Sequence, residues 1–201
     1  LPAFSLIKIF SQTARKVCEG QQLDMDFPNQ KNICLQDYML MIKNKTAVLL
    51  GFSLSIGAII SKATVDQINE IYNIGVELGL AFQLQDDYLD VFGEVEKFGK
   101  KIGVDIIENK KTFLYLYVLA NSTERVRNEF NYWIKLNPKN PNNKISSVTS
   151  IYRSSGAEDA IKNKIEYFYK SAILKIDKLE LNPKKKKYLV EFVNKLVNRS
   201  F

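Results

Sequence analysis

The sequence predicts an all-α fold, and three observations carry that prediction. Apolar residues recur at helical spacing over stretches longer than strands usually run. Pro and Gly, at 5 and 9 in 201 residues, are too sparse to punctuate a many-stranded sheet. The 46% apolar content fills one sizeable core and is too high for a disordered chain. Residues 1–201 are therefore expected to form a single helical domain with short loops.

The first helical pattern runs from Ala3 to about Val17, and the next from Leu35 to about Ile60, after a break at Asp24-Met25-Asp26-Phe27-Pro28-Asn29. Within the second, Thr46 to Ser61 carries no charge. It falls short of the roughly 20 residues that span a bilayer, so it reads as a buried core helix and no transmembrane segment is expected. A third helix is predicted from about Val65 to Phe92, with Ile68, Ile71, Val76, Leu78 and Phe82 at apolar positions and Gly93 as C-cap. Gly93 to Gly103 reads as a loop bearing Lys and Gly. Helices are expected again near Asp105 and near Thr123, parted by the polar step Asn121-Ser122, and the run from Asn137 to Asn143 is the strongest loop signal. A helix from about Glu158 to Leu179 follows. Asn182 then caps a last helix opened by Pro183, whose apolar stripe is Tyr188, Leu189, Phe192, Val193, Leu196 and Val197.

The formal charge of +7 would suit a polyanionic partner, but net charge speaks to solubility and steering rather than to chemistry. The run Lys184 to Lys187 sits in a first helical turn opposite an apolar stripe and reads as a solvated face, so no nucleic-acid partner is expected. Cys18 and Cys34 show neither CxxC nor zinc spacing, and nothing before them resembles a signal peptide. A reducing, cytoplasmic compartment is the expectation. The chain contains 0 His, which removes Ser-His and Cys-His triads and His-ligated zinc together.

The most informative stretch is Phe82-Gln83-Leu84-Gln85-Asp86-Asp87-Tyr88-Leu89-Asp90, which lies in the third helix with no Lys or Arg between Lys62 and Lys97. At about 100° per residue, Gln83, Asp86, Asp87 and Asp90 share one polar face. Like charges three or four residues apart destabilise a helix, so a cation must compensate. A hard divalent ion that takes one or two carboxylates plus water and substrate phosphate meets that demand. Directly afterwards the sign flips, with Lys97, Lys100, Lys101, Lys110 and Lys111 spread over the loop and the next helix. Such lysines neutralise phosphate oxygens as point charges.

Five ordered strings resemble the trans-isoprenyl diphosphate synthases. They are Gly20-Gln21-x-x-Asp24, Lys45-Thr46, the Phe82 to Asp90 stretch, Phe98-Gly99-Lys100 with Gly103-x-Asp105-Ile106, and Asn109-Lys110-x-Thr112. The Phe82 to Asp90 stretch looks like that family's second aspartate-rich motif. The resemblance implies an isoprenoid-synthase-type helical bundle around a central cavity, usually a homodimer. It also implies a magnesium-dependent prenyltransferase that condenses isopentenyl diphosphate with an allylic diphosphate. Carried onto this sequence, it makes Asp86, Asp87, Asp90 and Asp24 metal ligands. Lys45 and Lys100 would hold the allylic diphosphate, Gln21, Thr46, Gln83 and Lys110 would line the same pocket, and Phe82 would sit near the hydrocarbon. Lys45, Asp86 and Lys100 are thereby the catalytic candidates. Gln85 before the acidic pair resembles short-chain synthases, which make farnesyl or geranylgeranyl diphosphate.

The family's first aspartate-rich motif has no counterpart before Gly20, and the chain starts at Leu1. The expectation is therefore a C-terminal portion of a synthase, its N-terminal helices missing, inactive on its own. The alternative is a noncatalytic helical subunit that regulates an active partner; a terpene cyclase of the same fold ranks below both.

Overall fold

The computed structural model describes residues 3–94, 101–138 and 140–197. Every regular element among them is helical. In chain order these are α1 (Ala3–Asp26), a 3-10 turn (Phe27–Asn29), α2 (Leu35–Ile42), a π turn (Lys43–Ala47), α3 (Val48–Ile60) and α4 (Val65–Phe92). There follow α5 (Val104–Ile107), α6 (Phe113–Asn121), α7 (Glu124–Lys135), α8 (Pro141–Ser154), α9 (Ala157–Lys178) and α10 (Pro183–Val197).

Two compact units emerge from these helices. The first comprises residues 1–25, 39–83 and 165–199, the second 26–38, 84–164 and 200–201. In the first, Ile74 and Leu78 of α4 meet Ala172 and Ile176 of α9, Leu179 just beyond it and Val193 of α10, with Leu50 and Leu54 of α3 packed against them. Helices α3 and α4 lie almost in backbone contact, because a Cβ on Gly75 would stand 2.6 Å from Gly51 Cα. Only glycine permits that approach. The second unit buries Leu84, Val91, Ile106, Leu114, Phe130, Val148, Tyr152 and Ile161. Its aromatic spine runs from Tyr115 to Phe130, with ring centroids 5.1 Å apart, and on to Tyr152 at 5.8 Å.

Several elements differ from the sequence reading, each for a physical reason. Helix α1 continues past Val17 to Asp26, so Gly20 lies within it and Asp24 to Asp26 are helical rather than part of the break. Its polar last turns carry no proline until Pro28. Helix α8, absent from the sequence reading, begins inside the predicted loop: Asn140 caps it by accepting from Asn142 N at 3.0 Å, and Pro141 occupies its first turn. Both residue types signal a loop and also a helix start. Gly93 has no left-handed φ; instead a Cβ there would lie 2.4 Å from Leu89 O, which explains glycine sterically. Helix α4 itself spans Val65–Phe92, the predicted bounds, and Asn182 caps α10 by accepting from Lys184 N at 2.9 Å.

The π turn joins α2 and α3 into one helical run, Leu35–Ile60, of 26 residues with mean hydropathy 1.3 in its most apolar window. By length and composition that run could cross a membrane. In this chain Val48, Gly51, Ser55, Ala58 and Ile59 are buried and Leu50 and Leu54 join the core of the first unit.

Candidate active site

In the first unit, α1 and the π turn build a polar pair. A Cβ on Gly20 would fall 2.2 Å from Lys45 N, so the absent side chain lets α1 pass over the turn. One helical turn later, Asp24 Oδ2 meets Lys45 Nζ at 2.6 Å, with the two side chains 21% and 33% exposed. The adjoining Thr46 hydroxyl donates to Gln83 Oε1 at 2.9 Å, which fixes the orientation of that amide. Thus Lys45, Thr46, Asp24 and Gln83, all predicted site residues, are brought into two direct contacts. Gln21 is exposed on α1, and Phe82 is half-buried on α4. The π turn that presents Lys45 and Thr46 is a sequence-silent feature; such turns recur at functional sites.

In the second unit, the C-terminal turns of α4 carry the acids. Asp87 is 3% exposed and accepts a hydrogen bond from the Tyr38 hydroxyl. Asp86 and Asp90, four residues apart and therefore on one side of the helix, are half-buried. Asp90 Oδ2 accepts from Asp105 N at 3.0 Å and its carbonyl accepts from Gly103 N at 2.6 Å. Gly103 has φ +80°, a conformation glycine adopts without strain, and there it opens α5. Asp105 in turn pairs with Lys110, 3.3 Å between Oδ1 and Nζ.

The electrostatics of this acidic group are unfavourable as it stands. Burial and the neighbouring Asp105 carboxylate push the Asp90 carboxyl up to about 6. Burial raises Asp105 too, against the pull of Lys110. Neither Asp86 nor Asp90 forms an ion pair with a lysine among the described residues.

The two lysines flanking this region on the sequence side of α6 and on α8 serve differently. Lys111 Nζ donates to the carbonyls of Phe27, at 2.8 Å, and Gln30. Lys144 is buried and burial pushes its ammonium pKa down. Neither Tyr38 nor Lys144 was singled out by the sequence reading. Tyr38 lies 49 residues from Asp87, and no local pattern links them. Lys100 falls outside the described residues.

These residues fit magnesium in a limited sense. The donors are hard carboxylate oxygens, and Asp90 carries negative charge that its surroundings oppose. No group of three or more acids or cysteines among the described residues forms a metal cage. A site completed by substrate phosphate and water is the kind magnesium takes.

The polyprenyl synthetase family model matches residues 1–152. The geranylgeranyl diphosphate synthase of Saccharolobus solfataricus is 38% identical over 121 residues, 60% of this chain and 36% of its own length. That of Sulfolobus acidocaldarius is 33% identical over 96% of this chain and 60% of its own length. A crystal structure of a geranylgeranyl pyrophosphate synthase superposes with a TM-score of 0.91 at 40% identity, covering 98% of this chain and 62% of that one. The Corynebacterium glutamicum geranylgeranyl pyrophosphate synthase, solved with isoprenyl diphosphate and magnesium, gives a TM-score of 0.85 at 25% identity over 96% of this chain and 55% of its own. The chain thus spans between 36% and 62% of the length of the first relatives it matches. With Gly20, Lys45-Thr46 and the acidic end of α4 all inside the matched residues, this chain belongs to the polyprenyl synthetase family.

Proposed function

We propose that this chain serves a short-chain prenyltransferase, which condenses isopentenyl diphosphate with an allylic diphosphate to make farnesyl or geranylgeranyl diphosphate. The observation that carries the reading is that, among the described residues, neither Asp86 nor Asp90 forms an ion pair with a lysine. Together with Asp90 pushed up to about 6, it describes a site that gains stability when positive charge arrives.

Asp86 and Asp90 are the residues that would hold magnesium. When bound, the ion supplies Lewis-acid neutralisation of the departing diphosphate, an effect worth several kcal/mol. Asp87, held by Tyr38, fixes the acidic end of α4 rather than reaching for solvent. Lys45 offers its ammonium to diphosphate oxygens, and Asp24 holds that ammonium in place beforehand. Thr46 donates to the Gln83 amide oxygen and so orients that amide, whose N–H groups are of the type that donates to phosphate oxygens. Lys110 adds a second point charge on the acidic side, tethered through Asp105. Lys100 completes the set by resemblance. No protein nucleophile is needed, which is why 0 His in the chain is compatible with the chemistry.

The exposed ridge Phe4, Ile7 and Phe10 on α1, at 79%, 65% and 59% exposure, supports a homodimer covered along this helix. The exposed free thiols of Cys18 and Cys34 suit a cytoplasmic location.

Calorimetric titration of the chain with geranyl thiolodiphosphate and magnesium tests the reading. Binding that requires magnesium and is lost in Asp86→Ala is expected. Equal affinity of the variant, or binding indifferent to magnesium, overturns it.

A further inference from the structure

We infer that Lys144 is a positioning residue for Lys110, acting through Asn109; this rests on the diphosphate-binding reading above. Lys144 belongs to α8 and to none of the motif strings. Its side chain is only 4% exposed, yet it forms no ion pair among the described residues. Instead Nζ donates to three neutral oxygens: Asn109 Oδ1 at 2.7 Å, Ile134 O at 3.2 Å and Leu136 O at 3.2 Å. A buried ammonium is tolerated only when its donors are satisfied, and here all three are.

Two of those acceptors are carbonyls at the C-terminal end of α7, where the helix dipole favours a cation. The third bond controls a strained backbone. Asn109 has φ 55°, one of two non-glycine residues with positive φ among those described. That conformation is disfavoured for L-residues and persists where the surroundings impose it. It turns the chain back after α5, so that Lys110 N reaches Asp105 O at 2.9 Å and Lys110 Nζ reaches Asp105 Oδ1 at 3.3 Å.

The far flank is held in the same manner. Lys111 Nζ is taken up by the carbonyls of Phe27 and Gln30, and Thr112 is buried. Residues 109 to 112 are therefore gripped on both sides by ammonium groups directed at neutral carbonyl and amide oxygens. Lys110, between them, pairs with a carboxylate next to Asp90. Three neighbouring positive charges divide into two clamps and one anion-facing group.

Titration of inorganic diphosphate with magnesium into the full chain compares wild type, Lys110→Met, Lys144→Met and the double variant. Each single variant should bind about tenfold more weakly, the size typical of outer positioning partners. The double variant should bind no more weakly than Lys110→Met, because the one residue acts through the other. Wild-type affinity in Lys144→Met, or losses that multiply in the double variant, overturns the inference. Should Lys144→Met fail to fold, Asn109→Ala keeps the two bonds to α7, removes the third, and is expected to show the same tenfold loss; unchanged affinity there overturns it. If wild type itself binds no magnesium diphosphate, the functional reading fails instead. Amide exchange then still decides the clamp: faster exchange at Lys110 and Thr112 in Asn109→Ala supports it, and unchanged exchange sinks it.

Discussion

The polar group of the first unit and that of the second meet opposite electrostatic ends. At the π turn, Lys45 pairs directly with Asp24 and Thr46 with Gln83. At the end of α4, Asp90 faces Asp105, and among the described residues Asp86 forms no ion pair with a lysine. The first arrangement is balanced before any ligand arrives; among the described residues the second is left in deficit. A balanced pair positions a group, whereas a deficit creates demand for a cation. The comparison separates residues that orient from residues that bind.

The strongest way to break the contrast is Asp86→Ala. Its affinity for magnesium diphosphate should fall about 100-fold, roughly 2.8 kcal/mol at 1.4 per decade, while unfolding by denaturant stays nearly unchanged. A large loss of stability with intact binding would place Asp86 in the balanced class.

Gly20→Ala attacks the first unit. The new Cβ would collide with the Lys45 backbone, 2.2 Å from its nitrogen, and α1 must retreat. About 2 kcal/mol of stability should go, read from the denaturant midpoint. An unaltered midpoint would show that the turn yields freely.

Asp90→Asn sharpens the contrast through pH. Its folded carboxyl titrates near 6, above the ordinary value of 3.8, so between those values the native chain holds more protons than the unfolded one. Stability therefore falls as pH rises through that window and is regained on acidification. The side chain is partly exposed, so the discounted gain from Asn at pH 7 is about 1 kcal/mol, a rise of roughly 2–4 °C in Tm. Magnesium should remove the slope in wild type, because it favours the ionised carboxylate. A flat wild-type profile without magnesium would refute the deficit.

Smallest is Lys45→Met, which leaves Asp24 unpaired in a partly exposed setting. About 1 kcal/mol of stability should be lost, and Asp24→Asn in that background should recover most of it.

Much of this was legible in the sequence where pattern and structure share a period. Helix α4 announces itself by 28 residues of helical periodicity without a proline, and its acids cluster because their spacing matches a helical turn. Lys45-Thr46 and Gly20 were found as separate strings; their contact required the fold. What could not be read depends on ambiguity or distance. Pro141-Asn142-Asn143 carries loop chemistry and helix-start chemistry at once, so α8 went unseen. Lys110, Lys111 and Lys144 look alike in sequence, and only their acceptors tell a carboxylate partner from a carbonyl one.

The widened turn at Lys43–Ala47 has a consequence for anyone who would edit this gene. It carries one residue more than a regular helical turn needs and absorbs it by widening, so the segments on either side keep the phase of a continuous helix. Deleting a single codon there would let the helix close with α3 in nearly its present phase, whereas the same deletion within α3 itself would swing every side chain beyond by roughly 100°. The widened turn is thus the place where this run tolerates a change of length, at the expense of how Lys45 and Thr46 are presented.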